Sequence, residues 1–517
     1  MRRRTLIRVG RAGARTPLAS PTVSATLDPR TPVLVGVGAA HRPADGSGAV
    51  EPLELMVEAA LAAADDAGAA RLLPDCGLVA VPEGSWSYPD VARLVADRVG
   101  ARRARTVRAD IGVPQTQPVA VALDRIRRGA LDVALVVGGE AMASSRAAAR
   151  AGTPIDETAQ DGATPDERWS PAGEIMAAAE VAAGMWAAVE QYACIENALG
   201  HAEGQPFDSQ LDDIAELWAA YNAVATTNPT AAFAAPRTAA ELRDPGPGNR
   251  AIASPYNKWH VSQWVVDQAA ALILCSVDAA RAAGVPAERW VFPHACVDSS
   301  HMVSLSRRSE IHRWPAMGVV GRAVAEHIGR PLRDIEIQEI YSCFPVAVRL
   351  QQRELDLDRD QRTAVAPTVT GGMAFAGGPL NNFTYQATVE VVRRLREHPE
   401  HLAMVTTVSG LLTKPGITVW GGRPAPDVLI EDVAEPAAAR TGVRDVTGEA
   451  QGPGTVVTAT ATYLDGRPVR AFVIADLDDG RRWVGTCDDA GFAEATDRRA
   501  TIGTIVDVTG AGCVPRS

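Results

Sequence analysis

The sequence predicts an α/β protein built on a duplicated βαβ layer, followed by a small C-terminal β-barrel. Three observations predict it. A strand, glycine turn, helix, strand order runs from Val107 to Glu140 and recurs over residues 368–412. A helical, aromatic-bearing segment lies between the two copies, and residues 455–517 change to short strands punctuated by hairpin turns.

Residues 1–30 are expected to form a disordered extension. They carry seven arginines and one aspartate, and no apolar stretch fit for a signal-peptide core follows Arg2, Arg3 and Arg4. Thr31 to Gly38 is an apolar run that reads as a buried strand. A helix follows from about Pro52 to Ala67, with Leu53, Met56, Val57, Ala60, Leu61 and Ala64 at helical spacing and Gly68 as its stop. After a second strand and helix, the repeated unit begins: a strand from Val107, a turn at Gly112 to Pro114, a helix from Pro118 to Arg128, Gly129 as C-cap and a buried strand from Leu131 to Gly139. Residues 31–290 are read as the first half, with a helical insertion at about 145–265 whose Trp186, Tyr192, Trp218, Tyr221, Trp259 and Trp264 serve packing.

Residues 291–425 are read as the second half. Its unit comprises the Gly-rich stretch from Gly371 to Pro379, a helix through Val389 to Arg396 and a strand from Leu402 to Gly410. Gly112 precedes Gly139 by 27 residues and Gly378 precedes Gly410 by 32, spacings that point to a duplication. Residues 426–454, rich in Pro, Ala, Gly and acids, read as a linker. Strands at Thr455 to Leu464, Val469 to Leu477, Trp483 to Thr486 and Ile502 to Val508, with turns at Asp465-Gly466 and Asp479-Gly480, suggest a barrel of the oligonucleotide/oligosaccharide-binding (OB) type. That fold names no ligand.

Composition excludes several functions. With 46% hydrophobic and 22% charged residues, the 517-residue chain can bury a full core. A net charge of −11 argues against nucleic acid, and no apolar run is long enough for a membrane span. The seven cysteines, at 76, 194, 275, 296, 343, 487 and 513, never form Cys-x-x-Cys, so neither a disulfide framework nor a zinc site is indicated. His294, His301 and His312 lack metal-ligand spacing, and no metal or organic cofactor is expected. A cytoplasmic setting fits best.

Five stretches carry a resemblance: Gly129 to Met142, Asn249 to Lys258, Val266 to Ala271, Glu339 to Phe344, and Gly371-Gly372 through Gly378-Pro379-Leu380. They resemble the thiolase superfamily, in particular actinobacterial type-1 thiolase-like proteins of sterol-carrier type with an added C-terminal domain. The resemblance implies a five-layered αβαβα core of two similar halves, an inserted loop domain, and a coenzyme A thioester as ligand or substrate. It also implies four active-site positions. The nucleophilic cysteine at a helix N-terminus corresponds to Gly112, the Asn or His of the oxyanion water to Tyr341, the Gly-His-Pro histidine to Gly378, and the acid/base cysteine to Val408, ahead of Ser409 and Gly410. All four have lost their usual side chain, and glycine cannot be acylated. An acyl-cysteine route is disfavoured, since one lost oxyanion donor alone costs about 10²–10³ in rate.

A binding pocket survives that loss, because the helix after Gly112 still points free N–H groups at it. Tyr341 is the catalytic candidate: it hydrogen-bonds a thioester carbonyl, acts as acid or base in retro-aldol cleavage of a β-hydroxyacyl-CoA, or simply packs at a strand end. Cys343, two residues on, is a buried inert thiol or a second nucleophile. Lys258 and His260 are candidates for coenzyme A phosphates, Asn381 for ligand or capping, and Ser409 and Gly410 for ligand contact; Lys414 either joins the site or forms a structural salt bridge. Three readings compete: an acyl-CoA-binding protein of the acyltransferase class, a Tyr341-dependent lyase, and a non-catalytic scaffold whose C-terminal domain recruits a lipid-metabolism enzyme. Monomer and homodimer both remain open.

Overall fold

The computed structural model describes residues 27–43, 45, 48–357 and 366–516. The expected 1–30 extension lies, apart from residues 27–30, outside the described residues. Among those described, no helix is long and apolar enough to cross a membrane.

In the first half, β1 (Pro32–Arg42), α1 (Pro52–Ala67), β2 (Leu78–Pro82), α2 (Val91–Arg98), β3 (Arg105–Ala109), α3 (Gln117–Arg127) and β4 (Val133–Ala141) follow in order. α1 ends where Gly68 takes φ 66°, the left-handed conformation that its missing Cβ permits. The insertion contributes α4 (Met142–Arg150), β5 (Glu167–Trp169), α5 (Ala178–Ala182), α6 (Ala188–Ala202), α7 (Phe207–Ala225), α8 (Ala239–Arg243), β6 (Ala251–Ala253) and β7 (Tyr256–Asn257). The chain then returns through β8 (Asp267–Ser276), whose Ala-rich, wholly buried run inserts between β1 and β4. The first sheet has the order β1-β8-β4-β2-β3-β5.

The second half comprises α9 (Val277–Ala283), β9 (Phe292–Asp298), α10 (Pro315–Ile328), β10 (Ile337–Glu339), α11 (Pro345–Glu354), α12 (Phe383–Glu397), β11 (Leu402–Ser409) and β12 (Lys414–Gly421). Its sheet has the order β10-β11-β12-β9-β13, with β13 at Leu429–Asp432. α3 and α12 pack between the two sheets, α1 covers the first and α10 the second, which gives the five layers.

The segment read as a linker is structured. β13 pairs parallel with β9, α13 (Ala434–Arg440) packs on α10, β14 (Val446–Thr447) pairs with a barrel strand, and β15 begins at Ala450 rather than 455. A four-residue edge strand that itself ends in Glu431 and Asp432 is too short to show a hydrophobic period, so composition alone misleads there.

The C-terminal strands close into a barrel. β15 (Ala450–Leu464), β16 (Arg467–Leu477) and β17 (Arg482–Cys487) form a meander, α14 (Ala490–Asp497) follows, and β18 (Ile505–Gly510) pairs with both β15 and β19 (Gly512–Pro515). A parallel β17–β19 contact completes the ring of five strands. α14 and β19 are additions to the sequence reading. The barrel has its own small core around Trp483, Phe492 and Val473. It is also joined to the insertion by pairing of Thr462 with Ala253.

Candidate functional site

The four thiolase-type positions come from elements the fold brings to the same end of both sheets. Residues 110–116 connect β3 to α3, Tyr341 follows β10, Val408 to Gly410 end β11, and Gly371 to Asn382 lead into α12. Gln115, a residue the sequence reading passed over, stands between two of them, Tyr341 and Val408. Its Nε2 donates to the Tyr341 hydroxyl at 3.2 Å and to the Val408 carbonyl at 3.0 Å. Its Oε1 accepts from Thr384 Oγ1, and its backbone carbonyl accepts from the Tyr385 hydroxyl at 3.0 Å. A side-chain amide thus joins Tyr341, Val408 and Thr384 in a set of satisfied hydrogen bonds.

Gly112 keeps a backbone that favours glycine. Its φ is +94°, and a Cβ there would lie 3.1 Å from Ile175 and 3.2 Å from Pro171 of the insertion. Its carbonyl accepts from Lys414 Nζ at 2.8 Å, and the neighbouring Val113 carbonyl accepts from Ser409 Oγ at 3.1 Å. Lys414 is 1% exposed, and burial pushes its amine down to about 8. Nearby Asp298 accepts from Thr116 Oγ1 at 2.5 Å, and burial pushes its carboxyl up to about 7. Lys414 therefore neither salt-bridges at the surface nor reaches solvent: it is the buried donor that fixes the loop at Gly112.

Gly378 sits in a different crevice. Its N–H donates to the Gln263 carbonyl at 3.0 Å, and a Cβ would meet Ser262 Oγ at 2.0 Å, so Ser262 occupies the space a longer side chain needs. Tyr341 is buried, its ring edge-on to Phe383 at 5.6 Å, and burial raises its phenol above the ordinary value. That direction is opposite to the lowered pKa an ionised tyrosine base requires. The hydroxyl accepts from Gln115 and donates to no acceptor among the described residues. Burial pushes the Cys343 thiol up to about 12, and β10 ends at Glu339, so Cys343 lies past the strand and beside Tyr192 rather than acting as a second nucleophile.

The remaining sequence candidates divide. Ser409 and Gly410 lie at the site, with Gly410 held against Met302. His260 is buried, its Nδ1 accepts from the Asn257 N–H at 3.1 Å, and burial pushes it down to about 4. A neutral imidazole packed edge-on to Tyr256 offers no charge to a phosphate, which corrects the expectation for His260. Lys258 stacks on Trp259 with Nζ 4.7 Å from the ring centre. Asn381 does not cap a helix: its Nδ2 donates to the Glu83 carbonyl at 2.9 Å and ties the glycine-rich loop to the end of β2.

An open groove of about 850 Å³ runs beside the site, lined by Gly173, Met176, Ala179, Met302, Arg307 and Val446. Met302 separates it from the interior, because its Sδ would stand 2.8 Å from a Cβ on Gly410. The sequence carries no local signal for Met302 or Gln115, since both matter only through contacts distant in the chain.

No protein-family model and no curated protein matches the chain. Solved structures do. A monomeric SCP2-thiolase like protein type 1 from Mycobacterium smegmatis is 27% identical, the match covering 95% of this chain and 100% of that one, with a TM-score of 0.79. An Ltp2-ChsH2(DUF35) aldolase is 19% identical over 76% of this chain and 99% of that one, TM-score 0.58. Human mitochondrial 3-ketoacyl-CoA thiolase in complex with CoA is 18% identical over 76% and 98%, TM-score 0.51. The last two share the fold; the first extends the likeness through nearly the whole chain, which supports a thiolase-superfamily assignment in which the chain is similar to a type 1 SCP2-thiolase-like protein.

Proposed function

We propose that this chain binds coenzyme A thioesters and does not pass an acyl group through cysteine. The observation that carries the reading is Gly112: no nucleophile stands there, its φ of +94° disfavours one, and Lys414 and Ser409 lock the loop that would present it. The groove lined by Met302 and Arg307 has the volume and the exposed cation to take a nucleotide-bearing thioester, with the acyl end directed past Met302 toward Tyr341. There the free Tyr341 proton donates to the thioester carbonyl.

The same free proton favours one second reading, retro-aldol cleavage of a β-hydroxyacyl thioester: the β-hydroxyl gives its proton to water as it becomes a carbonyl, the Cα–Cβ pair passes into the thioester enolate, and Tyr341 donates to the enolate oxygen. The raised phenol suits a donor and excludes a phenolate base at neutral pH.

Calorimetric titration with coenzyme A and with short, long and steroid-like thioesters tests the binding reading; binding of a thioester is expected, and failure of all of them sinks it. Tyr341→Phe separates the two readings. It should leave affinity within about fivefold, the worth of one hydrogen bond of about 1 kcal/mol. If the chain is a lyase, it should abolish release of the carbonyl product from a β-hydroxyacyl-CoA.

A further inference from the structure

Among the described residues, one group of histidine and acidic side chains brings three donor atoms within 4.8 Å of one another: His398, Glu400 and His401. They occupy the short connection between α12 and β11. The connection is rigid. The His398 N–H closes the last helical turn on the Arg394 carbonyl at 3.0 Å, and the His401 N–H returns to the His398 carbonyl at 3.0 Å. Pro399 between them packs so closely on Gly422 that a Cβ on that glycine would come within 2.6 Å of Pro399 Cα. The next residue is fixed as well, its Leu402 N–H donating to Glu336 Oε2 at 3.1 Å.

On this turn the two imidazole rings lie parallel, 5.0 Å apart with 19° between their planes. Glu400 Oε1 lies 3.8 Å from His398 Nδ1 and 3.5 Å from His401 Nε2, so one carboxylate oxygen addresses both rings. Donors around a tetrahedral zinc ion, with bonds of about 2.0–2.2 Å, stand about 3.4 Å apart. Small side-chain rotations bring the observed separations to that value, and all three side chains are free to make them: they are 56%, 54% and 32% exposed.

We propose that His398, Glu400 and His401 form a surface site for a borderline divalent cation of the zinc class, with water completing the coordination. Two imidazole nitrogens and one carboxylate oxygen select zinc, nickel or copper over magnesium and calcium, which prefer all-oxygen sets. The sequence offered no metal-ligand spacing among the cysteines or at His294, His301 and His312, and His-Pro-Glu-His was passed over, because three donors within four consecutive residues show no ligand geometry until the turn is seen.

The test is calorimetric titration of the full, untagged, EDTA-stripped chain with zinc chloride. Uptake of one equivalent at micromolar Kd is expected, with no heat from magnesium chloride, and the His398→Ala/His401→Ala variant should bind at least about tenfold more weakly. No uptake by the parent chain, a change below tenfold in the variant, or equal affinity for magnesium overturns the assignment. Circular dichroism of the variant establishes that it is folded, which the exposure of both side chains predicts.

Discussion

A cysteine returned to position 112 has to adopt φ near +94° and push a Cβ against Ile175 and Pro171. Strain of this kind costs about 1–3 kcal/mol. Gly112→Cys is therefore expected to lower the melting temperature and to show no acyl adduct by intact-mass spectrometry after incubation with acetyl-CoA; adding Gly378→His cannot help, since its Cβ meets Ser262 Oγ. Stoichiometric acylation would refute this. Lys414 offers a second residue-level prediction through pH. Its amine falls from 10.5 to about 8 on burial, so between those values the unfolded chain holds a proton that the folded chain has released. Stability tied to this group thus rises with pH from about 8 to 10.5, while below 8 the full cost of the buried charge is present. At about 1.4 kcal/mol per tenfold in proton affinity, the gain is at most about 3 kcal/mol. Buried thiols such as Cys343, pushed up to about 12, pull the other way, so the readout is the difference from Lys414→Met in urea unfolding at pH 8 and pH 10. Parallel pH profiles for the two proteins would sink it. Gly112, Gly378 and Val408 could be picked out as single letters inside a repeated pattern, whereas Gln115 could not: its partners Tyr341 and Val408 lie 226 and 293 residues away.

At the scale of elements, the periodic segments were legible and the short edge pieces were not. α1 and α3 carry apolar stripes and glycine stops, and β4 is an unbroken buried run, whereas the equally buried, Ala-rich β8 was not read as a strand. β5, β6, β7, β13 and β14 span two to four residues each, and pairing rather than residue type makes them strands. These pieces also attach the barrel. β14 lies beside β17, where Arg482, 1% exposed, donates to the carbonyls of Ser306 at 3.3 Å, Arg308 at 2.5 Å and Ser309 at 3.4 Å, and to Asp476 at 2.7 Å. Truncating it takes a donor from two buried carbonyls, those of Ser306 and Arg308, and from the part-buried Ser309 carbonyl and Asp476 carboxylate, and hydrogen bonds to a charged group are worth about 1.5–3 kcal/mol each. Arg482→Ala is expected to lose about 3 kcal/mol in urea unfolding and to gain trypsin sensitivity near Arg440 and Arg444 before the core is cut. Unchanged cleavage would mean that the barrel is held elsewhere.

For the whole molecule, the sequence suggested an appended barrel, and the structure makes it a wall of the insertion. The Ser254 N–H donates to the Ala461 carbonyl at 2.9 Å, Asn197 Nδ2 to the carbonyls of Ser254 and Ala459 at 2.9 Å, and Thr458 Oγ1 to the Cys194 carbonyl at 2.6 Å. One face of α6 is therefore covered by β15, and the buried Asn197 and Cys194 both bond to that strand. At the opposite side, β5 covers the β3 edge of the first sheet, and its Glu167 is paired with Arg125 at 2.8 Å and Arg105 at 3.4 Å, charges that oppose pairing with another chain. The intact chain is expected to run as a monomer of 54.4 kDa in light scattering. A chain ended at Arg444 is expected to aggregate, because removing the barrel exposes the apolar and amide face of α6 with no second subunit to cover it. A soluble, cooperatively unfolding product of that truncation would show instead that the two-sheet core stands alone and that the barrel is an independent unit.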